Sequence, residues 1–188
     1  MEQLDGVEVV VFADGAAFEG WLVEHHGRAA GVWVKVAKKG AGVPSVTEQE
    51  LVDVGLCWGW VSGQRRSLDG QWYLQRYVPR RPRSLWSQVN VEKVAELTAA
   101  GRMRGPGLAE VERARQDGRW AGAYPPASTA AVPPELAAAL AEDPAAAAAF
   151  EALDRTARYQ LMLPLLQALT PKSRASRLER ALRQLGGG

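Results

Sequence analysis

The stretch Pro79-Arg80-Arg81-Pro82-Arg83-Ser84-Leu85-Trp86-Ser87-Gln88-Val89-Asn90 brings guanidinium groups, an indole and small polar side chains together within one short span. Guanidinium forks pair with carboxylate and phosphate in a bidentate way, and an indole offers a flat face to a planar group. Pro79 and Pro82 fix their own backbone and bias the residue before each toward extended conformations, so the arginines stand on an ordered turn. A helix start near Ser87 adds free backbone N–H donors. With the two upstream indoles, the candidate ligand-binding set is Trp58, Trp60, Arg80, Arg83, Ser84, Trp86, Ser87 and Asn90, suited to an anion with a flat moiety. In this arrangement Arg80, Arg83 and Ser87 face one concavity near Trp86 and Arg81 points the other way, or, one residue out of step, Arg80 and Ser84 share a face with Pro82. The competing reading is a structural corner, with Trp58 and Trp60 in the core and Arg80 capping a carboxylate.

Catalytic constellations are weaker, and no catalytic residue is assigned. His25 and His26 are adjacent, so on a helix they point about 100° apart and cannot both ligate one metal. Cys57 follows an apolar stripe, which favours an inert buried thiol. Gly105-x-Gly107 lacks phosphate-loop spacing and a preceding strand, so Arg104-Gly105-Pro106-Gly107 reads as a connecting turn. No metal and no cofactor are expected.

The net charge of +2 is unevenly spread. Residues 1–56 are acidic overall, whereas residues 57–84 carry Arg65, Arg66, Arg76, Arg80, Arg81 and Arg83 against Asp69 alone. A concentrated basic segment in a nearly neutral chain attracts anions locally. Some of these arginines have a second use, pairing with the acidic N-terminal third. Arginines interleaved with Trp72, Tyr73, Tyr77 and Trp86 also resemble the stacking platforms of a nucleic-acid groove. Arg174, Arg177, Arg180 and Arg183 extend such a surface or form the solvated side of an amphipathic helix. The partner classes are therefore a small anionic ligand, a nucleic acid or a protein.

A chain of 188 residues, 47% apolar and 23% charged, supports a conventional core. Its apolar runs fall short of the ~20 residues a bilayer requires, so membrane insertion is not expected. One cysteine and the lack of a secretory pattern point to the cytoplasm.

The elements that position these residues follow from periodicity. Residues 7–12 read as a strand ending in a turn, with Asp14 capping a helix that places Phe18, Trp21 and Leu22 on one face. Residues 31–38 alternate like a strand, and Thr47-Glu48-Gln49-Glu50 is a capping box before an apolar stripe toward Cys57. Two aromatic and β-branched runs, 58–63 and 71–78, flank Asp69-Gly70 and predict a hairpin with both Trp58 and Trp60 on its first strand, in the central sheet. Ser84 or Ser87 caps the next helix, and another lies near 108–116. The four prolines within 121–134 make that stretch a linker or surface strap. Beyond it come four helices, near 134–141, 144–153, 158–169 and 172–185, with Pro164 interrupting the third. The fold class is α+β, an N-terminal α/β domain with a small antiparallel or mixed sheet followed by an all-helical unit. The expected division is 1–120, a proline-rich linker at 121–134, and 135–188.

The ordered motifs Phe18-x-x-Trp21-Leu22, Gly31-Val32-Trp33-Val34 and Leu56-Cys57-Trp58-Gly59-Trp60 resemble those of the YdeI/OmpD-associated family, also labelled bacteriocin-protection proteins. So do Tyr77-x-Pro79-Arg80-Arg81-Pro82-x-Ser84-x-Trp86-Ser87-x-x-Asn90, Gly118-Arg119-Trp120, Pro133-Pro134-Glu135-Leu136, Phe150-x-x-Leu153 and Arg174-x-x-Arg177-Leu178. The resemblance runs through nearly the whole chain. It implies a two-part fold and a cytosolic bacterial protein, and it carries over no reaction and no catalytic residue. The family has an isoleucine and an acidic residue after the Gly-Trp pair, where this chain has Val61-Ser62-Gly63. The expectation is a binding or stress-protection protein using the arginine and tryptophan turn. The alternatives are a nucleic-acid binder and an enzyme acting on a small anionic substrate.

Overall fold

The computed structural model describes residues 2–186 and forms two compact units, one from 2–84 and 92–114, the other from 85–91 and 115–186. The elements in order are β1 (Gln3–Leu4), β2 (Val7–Val11), α1 (Gly15–His25), β3 (Val32–Ala37), α2 (Glu48–Cys57), β4 (Trp60–Ser67), β5 (Trp72–Pro79), α3 (Gln88–Ala99) and α4 (Gly105–Gln116). Then come α5 (Pro134–Glu142), α6 (Pro144–Ala152), α7 (Arg155–Leu166) and α8 (Pro171–Gly186). The N-terminal mixed sheet and the later run of helices are the α+β class expected.

The sheet runs β1-β2-β3-β5-β4, with β2 parallel to β3 and the other pairs antiparallel. Caps set its helices in place. Asp14 Oδ1 accepts from Ala17 N at 2.8 Å and starts α1. At α2 both halves of the capping box form, Glu50 N donating to Thr47 Oγ1 at 3.2 Å and Thr47 N to Glu50 Oε2 at 2.8 Å. These helices bring Phe18, Leu22, Leu51 and Val54 onto Phe12, Val32, Val34, Val36, Trp60 and Tyr77, and this is the main core. Strand alternation sends the other residues to the opposite face, where Val7, Trp33 and Leu74 cluster with Leu4 and Val9, all from strands.

Two local expectations change. Trp58 is not on a strand but forms the C-cap of α2. Gly59 follows at φ 73 and donates to Leu56 O, a helix stop that glycine adopts without strain, so the chain turns before Trp60 enters β4. Strand β4, which carries Trp60 into the sheet as expected, is an edge strand and runs past the expected Gly63 to Ser67. An edge strand tolerates polar residues on both faces, so Arg65 and Arg66 pair in the ladder beyond a bulge at Gly63 and Gln64, between Ser62 and Arg65. Gln75 Nε2 donates to Gly63 O and Gln64 O there, at 3.0 and 3.1 Å.

Residues 105–107 are the first turn of α4 rather than a connecting turn. Proline is compatible with a first turn, and Gly107 packs against the Cys57 carbonyl, where a Cβ would lie 2.2 Å from the oxygen. The Cys57 thiol is buried, and burial raises its pKa.

In the second unit Leu136, Ala146, Phe150, Met162 and Leu185 form a separate core. Asp143 caps α6 by accepting from Ala145 N and Ala146 N. Asp154 caps α7, which therefore begins three residues before the expected Arg158. Pro164 sits inside α7 near its end. The proline-rich stretch is fastened within this unit: Tyr159 Oη donates to Pro125 O at 2.9 Å and Arg155 Nη2 to Ala127 O at 3.3 Å.

Candidate functional site

The arginine and tryptophan turn is held by its own small residues. Arg80 follows β5, donates its N–H to Gly59 O at 2.9 Å and is 7% exposed. Ser84 Oγ accepts from Arg81 N at 2.9 Å and closes residues 81–84 into a tight turn. Arg81 and Arg83 are both exposed. Within the first unit, Trp60 is a core residue whose Nε1 donates to His26 O at 2.9 Å. Trp58 is half-buried, with its ring 5.2 Å from that of His26.

The remaining members of the turn belong to the second unit. Trp86 is 2% exposed and packs on Trp120, ring centroids 4.9 Å apart. Tyr124 N donates to Trp86 O and Gln88 N to Tyr124 O, a one-residue bridge between Ser87 and Tyr124. Ser87 Oγ accepts from Asn90 N at 3.2 Å, capping α3 as expected. The hydroxyls of Ser84 and Ser87 thus organise the chain, and Arg83 is the member of the candidate set whose charge stands in solvent.

A second grouping of cations and indoles lies on the strand-only face of the first unit. Trp33 pairs directly with Arg76, Lys35 with Leu74 and Ala37 with Trp72, and Arg66 of β4 stands opposite Leu74. Directly paired residues share a face, so these side chains converge. The guanidinium carbons of Arg66 and Arg76 each lie 5.2 Å from the Trp33 ring centroid, and Lys35 Nζ lies 5.2 Å from that of Trp72. Such positions over an indole face are attractive.

Polar contacts hold this layer. Arg66 Nη2 is 2.8 Å from Asp5 Oδ2, and Arg76 Nη2 donates to Ala30 O at 2.5 Å. Burial lowers the Arg76 pKa from its ordinary value; Asp5 works against that and Arg66 adds to it. The buried Trp33 Nε1 has no hydrogen-bond partner among the described residues. On the helix-covered face Arg65 pairs with Glu48 at 2.6 Å and lies over Tyr73. Arg65 and Arg66 therefore do pair with the acidic N-terminal third.

His25 stacks on Trp21, its Nδ1 2.8 Å from Trp21 O, and His26 Nδ1 lies 3.2 Å from Leu22 O. Both rings lie against their own helix. No group of three or more His, Cys, Asp or Glu side chains that could hold a metal ion occurs among the described residues, and no described helix is long and apolar enough to cross a membrane.

Residues 10–110, just over half of the chain, match a family model described as a domain of unknown function, DUF8412. The chain belongs to the DUF8412 family. Its residues 129–188 match the model described as Bacteriocin-protection, YdeI or OmpD-Associated, the family its motifs resemble. The motifs from Phe18 to Asn90 fall inside the DUF8412 match, so that second likeness is carried by the C-terminal helices. No curated protein and no solved structure matches this DUF8412 chain.

The Trp33 layer was not singled out in the sequence. Its signal was present as alternation, Trp33-x-Lys35 and Trp72-x-Leu74-x-Arg76, but joining the two strands needs the register that only the folded sheet supplies.

Proposed function

We propose that this protein is a binding protein without a reaction of its own, taking a flat anion on the open face of its N-terminal sheet. The observation that carries this reading is the layer of Arg66, Arg76 and Lys35 lying over Trp33 and Trp72. Cations held over indoles offer N–H groups to an oxyanion beside an aromatic surface. The half-buried Trp72 is the indole available for stacking. Nucleotides, as monomers or in a single strand, have both the phosphate and the planar ring this face calls for. The family description of the C-terminal helices also speaks of protection and association rather than of a conversion.

The test is tryptophan fluorescence of the whole chain titrated with a mononucleotide and with a short single-stranded oligonucleotide at several salt concentrations. Three engaged cations predict a slope of log K against log salt of about −2 for the oligonucleotide. Arg66→Ala and Lys35→Ala each weaken binding and flatten the slope. No quenching by either probe, or quenching untouched by both substitutions, overturns the proposal.

A further inference from the structure

A separate site lies in the second unit, around Arg174 of α8. The strap at 121–134 is tied down at Tyr124, Pro125 and Ala127, and two hollows are lined by the Arg174 side chain. One hollow, of about 420 Å³, is lined by Pro125, Thr129, Val132, Pro133, Leu165 and Leu166 together with Arg174. The other, of about 370 Å³, is lined by Asp117, Gly118, Gly122, Ala123 and Leu169, again with Arg174. The first volume lies in the range of small-molecule pockets, about 300–1,000 Å³.

The guanidinium is positioned but not saturated by these contacts. Nη2 donates to Ala168 O at 3.2 Å, fixing its plane, and Nη1 reaches Glu135 Oε1 at 3.3 Å, a single long contact. A guanidinium binds a carboxylate best through two parallel N–H bonds, so a bidentate carboxylate competes with the single long Glu135 contact. Asp117 disfavours an anion in the smaller hollow, whereas proline, valine and leucine side chains wall the larger one.

We propose that the larger hollow binds a small apolar monocarboxylate, its carboxylate on Arg174 and its hydrocarbon part against Pro125, Val132 and Leu165. Apolar burial supplies the affinity and the fork supplies the orientation. This site is independent of the sheet face and stands or falls separately from it.

Titrating the full-length protein with sodium octanoate, followed by amide NMR shifts, tests the assignment. Saturable shifts centred on Thr129, Ala131 and Val132 are expected. Arg174→Ala weakens octanoate at least about tenfold, and Arg174→Lys, which keeps the charge but not the fork, falls between. Thr129→Trp, at an exposed position, fills the hollow and abolishes the shifts with melting unchanged, which keeps the test valid should Arg174→Ala disturb the fold. Absence of saturable shifts, shifts centred elsewhere, or 1-octanol binding as tightly as octanoate overturns the proposal.

Discussion

Arg76 sits directly across the β3–β5 ladder from Trp33 and lies over its ring, 5.2 Å from the centroid. The pair shares the strand-only face, where the indole is buried although no helix residue belongs to its cluster. The long cationic side chain acts as cover as well as charge, its stem shielding apolar surface and its head reaching Ala30 O.

Arg76→Ala is expected to lower stability by about 1–3 kcal/mol, from the lost cation–π contact and the lost hydrogen bond. Urea unfolding measures it. A double-mutant cycle with Trp33→Leu is expected to show coupling, and purely additive effects would mean that the ring and the guanidinium act independently.

Gly107 and Gly105 sit two positions apart in α4 and should respond in opposite directions. A Cβ on Gly107 would stand 2.2 Å from the Cys57 carbonyl, while one on Gly105 meets nothing within 4 Å. Gly107→Ala is expected to cost about 1–3 kcal/mol or more as α4 is pushed off α2, and Gly105→Ala to stabilise by about 0.4–1 kcal/mol. Equal melting temperatures for the two variants would contradict the close approach.

The capping box gives a pH dependence. The hydrogen bond from the Thr47 backbone, then that from its hydroxyl, lowers the Glu50 pKa from an ordinary 4.5. A carboxyl with a depressed folded pKa stabilises the protein fully above its unfolded value, and that stabilisation is lost as pH falls through the folded value. The urea midpoint should therefore drop below about pH 4.5 by more in the wild type than in Glu50→Gln. Thr47→Ala should cost about 0.5–2 kcal/mol at neutral pH.

Arg80 and Arg83 separate structure from binding within the basic turn. Arg83→Ala, at an exposed position, should change stability by no more than about 0.5 kcal/mol, while Arg80→Ala, at a buried one, should cost more than about 2 kcal/mol. A phosphate-induced rise in melting temperature that vanishes in Arg83→Ala would make Arg83 an anion contact. A rise unchanged by that substitution would exclude it.

Local signals in this chain were legible wherever one residue type has one physical use. Asp14, the Thr47/Glu50 pair and Asp69-Gly70 all act as their chemistry dictates, with Asp69 Oδ1 accepting from Gln71 N and Trp72 N in the hairpin turn. Asp5-Gly6 also joins two strands, there as a two-residue loop with both φ positive, but the two-residue strand before it is too short to leave a periodic trace. Trp58 reads as strand because an aromatic run suits a strand and a helix C-cap alike, and Gly59 decides for the cap. The site was harder to read. Sequence proximity favoured the turn at 79–90, where Ser84 and Ser87 are engaged in holding the backbone, whereas Trp33 and Arg76 meet only through strand register. The hollows beside Arg174 depend on how the strap is tied to α7, which no spacing encodes.

The bulge in β4 also bears on what this sheet can become. A regular outer strand presents a row of free acceptors on which a second copy can add, strand upon strand, toward a fibre. Here the carbonyls of Gly63 and Gln64 are drawn back to Gln75, and Arg65 and Arg66 place charge on the next positions. An approaching chain finds the ladder broken midway, with side chains already engaged in ion pairs at the next positions, so self-templated growth along β4 is disfavoured.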